Sequence, residues 1–147
     1  MHILVINGPN LNMPGIRQPE IYGKTTYQDL LAMIQSEADK MGVQVSFFHS
    51  NSEGALVDAI QQAYFDKVEG IVINPAAYTH TSVALLDAVK SVSIPTVEIH
   101  ISKVEEREDF RQVSFIRQAC IGTVTGLGTD GYLRAIDRLE AHYAGCV

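Results

Sequence analysis

Two histidines, an arginine and a tyrosine are the side chains in this sequence best suited to moving protons. His80 and His100 each stand just past an apolar, strand-like run. A histidine changes charge near pH ~6.5, so two of them brought to one edge suit acid–base work. They would also serve as metal ligands, but a metal site asks for three or more ligands and carboxylates near them are few. No metal is therefore expected. His2, His49 and His142 read instead as strand, core or surface residues. Arg17 and Tyr22 share one segment rich in Pro and Gly. A free phenol titrates near pH ~10 and is a poor base at neutrality, but a guanidinium beside it favours the phenolate. A downward shift of ~3 units takes ~4 kcal/mol of differential stabilisation, feasible in a site closed from water. The plain alternative is a surface arginine and a loop tyrosine.

Such residues act together only if the chain carries them to a common edge. Ile3–Ile6 is a short β-branched run, Val43–Phe48 alternates, and Gly70–Ile73, Thr96–Ile99 and Gly122–Leu127 complete the strand-like stretches. Between them, Tyr27, Leu30, Leu31, Ile34, Ala38 and Met41 mark one helical face, with Thr26 as cap and Gly42 at the exit. Ser52 opens a second helix with the stripe Leu56, Ala59, Ile60, Ala63 and Tyr64; Ser82–Val92 is a third and Asp130–Tyr143 a closing one. The polar stretch Lys103–Gln112 has room for a short helix.

Strands alternating with helices, without hairpin signals, imply right-handed crossovers and a parallel sheet. Five such units predict an α/β protein of flavodoxin-like type. It is a three-layer sandwich around a five-stranded parallel sheet, strand order 2-1-3-4-5. Ligands then bind beyond the carboxyl ends of the strands, where Asn7–Asn12, Asn74–Ser82, Glu98–Ser102 and Gly126–Gly128 fall. The Asn, His and Ser side chains there suit hydroxyls and carboxylates. From Asn7 to Lys24 the chain shows neither period and carries Pro9, Pro14 and Pro19. Loops of that length are usually functional or disordered, and this one overhangs the ligand edge. We read residues about 12–24 as an active-site lid on a single catalytic domain spanning residues 1–147.

The bulk properties exclude other classes. A net charge of −6 with no basic stripe argues against a nucleic-acid binder. No apolar run approaches the ~20 residues that cross a bilayer, and Met1–Ile6 is too short for a signal-peptide core. Cys120 and Cys146 lack metal-site spacing and are expected as reduced thiols, which makes a cytoplasmic location the expectation. Gly126-Leu127-Gly128-Thr129-Asp130-Gly131 has the spacing of a dinucleotide fingerprint but follows the last strand, so it reads as a tight turn and helix cap. Glu105–Asp109 reads as a solvated helix face, beyond which Arg111 could turn back toward the site.

Taken in order, Asn7-Gly8-Pro9-Asn10-Leu11-Asn12, then Gly15, Arg17, Pro19 and Tyr22-Gly23, resemble the type II 3-dehydroquinate dehydratase family. The likeness continues through Asn74-Pro75, Tyr78-Thr79-His80-Thr81-Ser82 and Ala84-Leu85. It resumes at Glu98-Ile99-His100-Ile101-Ser102, Arg107-Glu108, Phe110-Arg111, Ser114 and Gly131-Tyr132, so it covers nearly the whole chain. The resemblance implies the same flavodoxin-like fold. It also implies a hydro-lyase that converts 3-dehydroquinate to 3-dehydroshikimate with no metal, cofactor or Schiff base. Tyr22, a phenolate assisted by Arg17, would take a proton from the carbon beside the ketone. Asn10 would hold a water against the enolate, and His100, oriented by Glu98, would protonate the departing hydroxyl. Asn74 with the backbone of Ile101 and Ser102 would hold the substrate carboxylate, and His80 and Arg111 the ring hydroxyls. Asp87 would reach a neighbouring subunit's site in a homododecamer built from trimers. The implied setting is the shikimate pathway of aromatic amino acid biosynthesis, or quinate breakdown.

The sequence departs from the family pattern at Leu86, where Arg is common, at Lys103 (Asn), Ala76 (Gly) and Pro14 (Leu). Ile116-Arg117-Gln118 likewise replaces a more usual Ser-Pro stretch. Other readings of the same fold differ in recognisable ways. A signalling receiver would show acidic residues after the first strand and an Asp after the third, where Asn10 and Asn74 stand. A flavin protein would show a Ser/Thr/Gly phosphate loop in place of the Pro- and Asn-rich one. A Schiff-base dehydratase needs a Lys at the strand ends, and only Lys103 comes near. A related polyhydroxy acid as substrate would leave every residue in place.

Overall fold

The apolar runs pair into one sheet. The computed structural model describes residues 1–13 and 25–145. Its strands are β1 (His2–Asn7), β2 (Gln44–His49), β3 (Gly70–Asn74), β4 (Thr96–His100) and β5 (Gly122–Thr125). All pairs are parallel, in the expected order 2-1-3-4-5. Helices α1 (Tyr27–Met41), α2 (Glu53–Phe65), α3 (Val83–Val92) and α4 (Gly131–Tyr143) supply the outer layers. Among the described residues, no helix is long and apolar enough to cross a membrane.

Local chemistry sets the helix ends. Thr26 Oγ1 accepts from the Asp29 amide at 3.1 Å while Asp29 Oδ2 accepts from the Thr26 amide at 3.3 Å, a reciprocal cap on α1. Gly42 closes the same helix with φ 72°. Ser52 caps α2 through its hydroxyl as expected, and Ser82, expected as the first residue of the third helix, caps α3 in the same way.

Side-chain alternation divides the core into two. Ile3, Val5, Val72, Val97 and Ile99 face α1 and α4, where they meet Leu30, Ile34, Tyr132, Ile136 and Leu139. Ile6, Ile71 and Ile73 face α2 and α3, against Leu56, Ile60, Leu85 and Val89. The period of two then decides which polar residues emerge on which side at the carboxyl edge. Asn7 and Asn74, paired in register, continue the face that carries Val5 and Val72. Glu98, paired with Ile73, lies on the opposite face together with His100 two residues on.

Beyond one-residue shifts at several strand and helix ends, two stretches differ from the sequence expectation. β5 stops at Thr125 because Gly126, at φ 75°, turns back so that its amide donates to the carbonyls of His100 and Ser102. The stretch expected to hold a short helix forms two separate 3-10 turns, Val104–Glu106 and Asp109–Arg111. Gln112 Nε2 donates to the carbonyls of Val104, Arg107 and Glu108 at 3.0–3.3 Å, satisfying oxygens that a continuous helix would have used.

Candidate active site

Beyond the ends of β1, β3 and β4 lies a cleft lined by Asn10, Asn74, His80, His100, Ile101, Ser102 and Arg111, together with Pro9, Leu11, Ala76, Ala77, Val104 and Arg107. It occupies the place where the strand order reverses, the position an open α/β sheet offers a ligand. Among the described residues its charged groups are cationic, so an acidic protein here presents a local site for an anion.

The floor is a buried amide network. Tyr132 is fully buried; its hydroxyl donates to Asn7 Oδ1 at 2.6 Å and accepts from Asn74 Nδ2 at 3.2 Å. Asn74 Oδ1 accepts from the Ala76 amide at 3.2 Å. Both ends of the Asn74 amide are thus fixed, and one Nδ2 hydrogen is left for the cleft. Burial pushes the Tyr132 phenol well above its ordinary value, so it remains a neutral hydroxyl. The two strand exits touch backbone to backbone. The Gly8 amide donates to the Asn74 carbonyl at 2.8 Å, and a Cβ on Gly8 would lie 2.6 Å from the Pro75 carbonyl oxygen. Asn10 and Ala76 turn the following loops at φ 69° and 53°. Asn adopts that region more readily than Ala does.

On the other face of β4, Glu98 and His100 point the same way because they stand two apart on a strand. Glu98 is wholly buried, and the His100 ring Nε2 donates to its Oε2. Ser114 Oγ donates to the same oxygen at 3.0 Å. Arg117 grips the carboxylate with a fork, Nε to Oε1 at 3.0 Å and Nη2 to Oε2 at 3.2 Å. Burial alone would raise the Glu98 carboxyl, but the hydrogen bonds from His100 and Arg117, and their charges, outweigh it and bring it down to about 2. The carboxylate therefore holds one nitrogen of the His100 ring, and Nδ1 is the nitrogen available to the cleft.

His80 is held differently. Its Nδ1 lies 2.7 Å from the Val113 carbonyl, which can only accept, so Nδ1 carries the proton and Nε2 is an acceptor in the neutral ring. Burial pushes its pKa down, against the pull of that hydrogen bond, and the charges of His100 and Arg111 act in the same direction as burial. Arg111 is braced at the rim by Glu108, Nε to Oε2 at 2.8 Å.

A family model described as dehydroquinase class II matches residues 1–140. The chain belongs to that family. The 3-dehydroquinate dehydratase of Caldicellulosiruptor bescii is 51% identical over 94% of this chain and 95% of that protein. That of Clostridium beijerinckii is 51% identical over 95% and 96%. The type II dehydroquinase structure from Butyrivibrio crossotus superposes with a TM-score of 0.94 at 51% identity, covering 95% of this chain and 97% of that one. The class II dehydroquinase resemblance, the flavodoxin-like sheet and the hydro-lyase class read from the sequence are all borne out.

Of the residues singled out in this class II dehydroquinase, the structure brings Asn10, Asn74, His80, His100, Ile101, Ser102 and Arg111 to one cleft, with Glu98 directly behind His100. Asp87 is exposed on α3 and does not line the cleft. Arg17, Tyr22 and most of the expected lid lie outside the described residues. Four contributors were missed, Ser114 among them through its bond to Glu98. Arg107 lines the cleft, Tyr132 anchors Asn74 and Arg117 grips Glu98. Tyr132 and Arg107 stand within matched motifs, but neither strand position nor spacing pointed to a role, and Arg117 stands at a departure from the family pattern.

Proposed function

We propose that this protein eliminates water from 3-dehydroquinate to give 3-dehydroshikimate through an enolate. The observation that carries the reading is the buried Glu98–His100 pair opening on a cleft that also presents Asn74, Ser102 and Arg111. The family membership and the names of relatives about half identical to it support the substrate.

In this reading Tyr22, as a phenolate beside Arg17, takes the proton from the carbon next to the ketone. The electron pair moves onto the ketone oxygen, and a water held by Asn10 stabilises that developing charge. The ketone then re-forms as the bond to the neighbouring hydroxyl breaks. His100 Nδ1 gives its proton to that hydroxyl, which leaves as water. Tyr22 and His100 return to their starting states by exchanging one proton through solvent. The free hydrogen of Asn74 Nδ2, with the backbone amides of Ile101 and Ser102, takes the substrate carboxylate. His80 Nε2, an acceptor, suits a ring hydroxyl and Arg111 a second one. Residues 1–147 act as a single catalytic domain with residues about 12–24 as its lid. Asp87 serves a neighbouring subunit's site in a trimer-built homododecamer. The setting is cytoplasmic, in the shikimate pathway or quinate breakdown.

The test is ultraviolet absorbance of chelator-treated protein mixed with 3-dehydroquinate, following the conjugated enone product. A prompt rise that is lost in both Tyr22→Phe and His100→Asn is expected. Inactivation by borohydride in the presence of substrate, or full turnover in either variant, would overturn the mechanism.

A further inference from the structure

We infer that Arg117 is a positioning residue for the elimination: its guanidinium stays paired with Glu98 throughout the proton cycle, so that His100 can release its proton without leaving a buried carboxylate unpaired. This follows only if His100 is the acid, as proposed above. Glu98 has no exposure to solvent and takes hydrogen bonds from His100, Ser114 and Arg117, with Thr123 Oγ1 at 3.5 Å. Only His100 and Arg117 among these carry charge.

To give a proton from Nδ1 while Nε2–H stays bonded to Glu98, His100 has to enter the elimination as an imidazolium, so that the carboxylate then faces two cations. When Nδ1 gives its proton to the departing hydroxyl, the ring becomes neutral and one of those cations disappears. A buried anion left with neutral donors alone is strongly disfavoured, so without a second cation His100 would hold its proton more tightly. A guanidinium does not deprotonate in proteins and meets a carboxylate with two parallel donors, so Arg117 is a permanent partner where His100 is an intermittent one. Its backbone is fixed by the core. It belongs to the 3-10 turn Ile116–Ala119, whose Ile116 is 1% exposed and packs with Leu85 and Val89. The Arg117 side chain itself is 47% exposed, so the space it occupies opens to solvent.

That exposure gives a test a purely structural role would not pass. In the full-length protein, Arg117→Ala is expected to lower kcat about tenfold, the loss of one charge-assisted contact, with KM for 3-dehydroquinate unchanged. Arg117→Lys is expected to recover most of the rate. Millimolar guanidinium chloride should partly restore Arg117→Ala, whereas sodium chloride of equal ionic strength should not, and wild type should respond to neither. If Arg117→Ala does not fold, Arg117→Gln, uncharged and of similar bulk, takes its place. Wild-type kcat in the uncharged variant, a rise in KM alone, or a loss that neither lysine nor guanidinium repairs would overturn the inference. Measured alongside, His100→Asn separates the two failures. If His100→Asn is inactive and the Arg117 variant unimpaired, only the role of Arg117 falls. If His100→Asn turns over normally, the acid assignment falls and takes this inference with it.

Discussion

A single phenol hydroxyl ties the floor of the cleft together. Tyr132 sits on α4, far along the chain from Asn7 and Asn74, yet it bonds both of their amides where two neighbouring strands end. Tyr132→Phe would keep the ring packing and leave two buried amides each short of a partner. An unsatisfied buried polar group costs about 1–3 kcal/mol, so a lower urea midpoint is expected with the slope unchanged. Asn74 would also lose its fixed orientation. If it holds the substrate carboxylate, which does not change during the reaction, KM should rise several-fold while kcat moves less. A variant with wild-type KM would remove Asn74 from the binding site or Tyr132 from its support. At this scale the sequence was legible where a residue's type and its place just past a strand coincided, as for Asn10, Asn74, His80 and His100. It was not legible for Tyr132 or Arg117. Neither stands at a strand end, and nothing in local periodicity tells which distant carboxylate or amide a side chain will meet.

Elements were read more completely than residues. Alternation sorts strand residues between the two faces, and Thr26, Ser52, Ser82 and Gly42 mark helix ends through contacts made within a few residues of themselves. The misread stretches are those decided by hydrogen bonds that periodicity does not report: Gly126, bound to the carbonyls of His100 and Ser102, and the segment that the Gln112 side chain ties back on itself. The contact between the exits of β1 and β3 belongs to the same class. Gly8 is required there by close approach, since the atom nearest a new Cβ is backbone oxygen at 2.6 Å and cannot rotate away. Gly8→Ala must therefore push the Asn10 loop away from the Asn74 loop and weaken the 2.8 Å amide contact between them. Overpacking of this kind costs about 1–3 kcal/mol. The expected result is a protein that still folds, with a depressed thermal midpoint, and a disproportionate loss of kcat/KM because both loops line the cleft. Equal activity would show that the cleft does not depend on this spacing.

For the molecule as a whole, titratable groups near the carboxyl edge of the sheet set how folding responds to acid. Burial of His49 and His80 pushes their pKa values down, so the unfolded chain binds protons before the folded one does. Their contribution is present above about pH 6.5 and is lost as the pH falls below it. Glu98 acts lower on the scale. Burial disfavours its charge, but His100 and Arg117 overcome that and hold it at about 2, against an ordinary 4.5. A depressed carboxyl contributes stability that is complete above its unfolded value and disappears as the pH falls through its folded value. The window therefore runs from about pH 4.5 down to about 2, and the shift corresponds to about 3 kcal/mol in order of magnitude. Glu105 and Glu108 are shifted in the same direction but are exposed, where water and salt screen their partners, so Glu98 should dominate this limb. Urea midpoints taken from pH 7 to 2 should fall in two stages, the first from the histidines and the second from Glu98. Glu98→Gln cannot titrate. It should be less stable than wild type at pH 7, and the gap should close by about that amount between pH 4.5 and 2. Parallel curves for the two proteins across that window would mean that the Glu98 carboxylate is not held by His100 and Arg117 in solution.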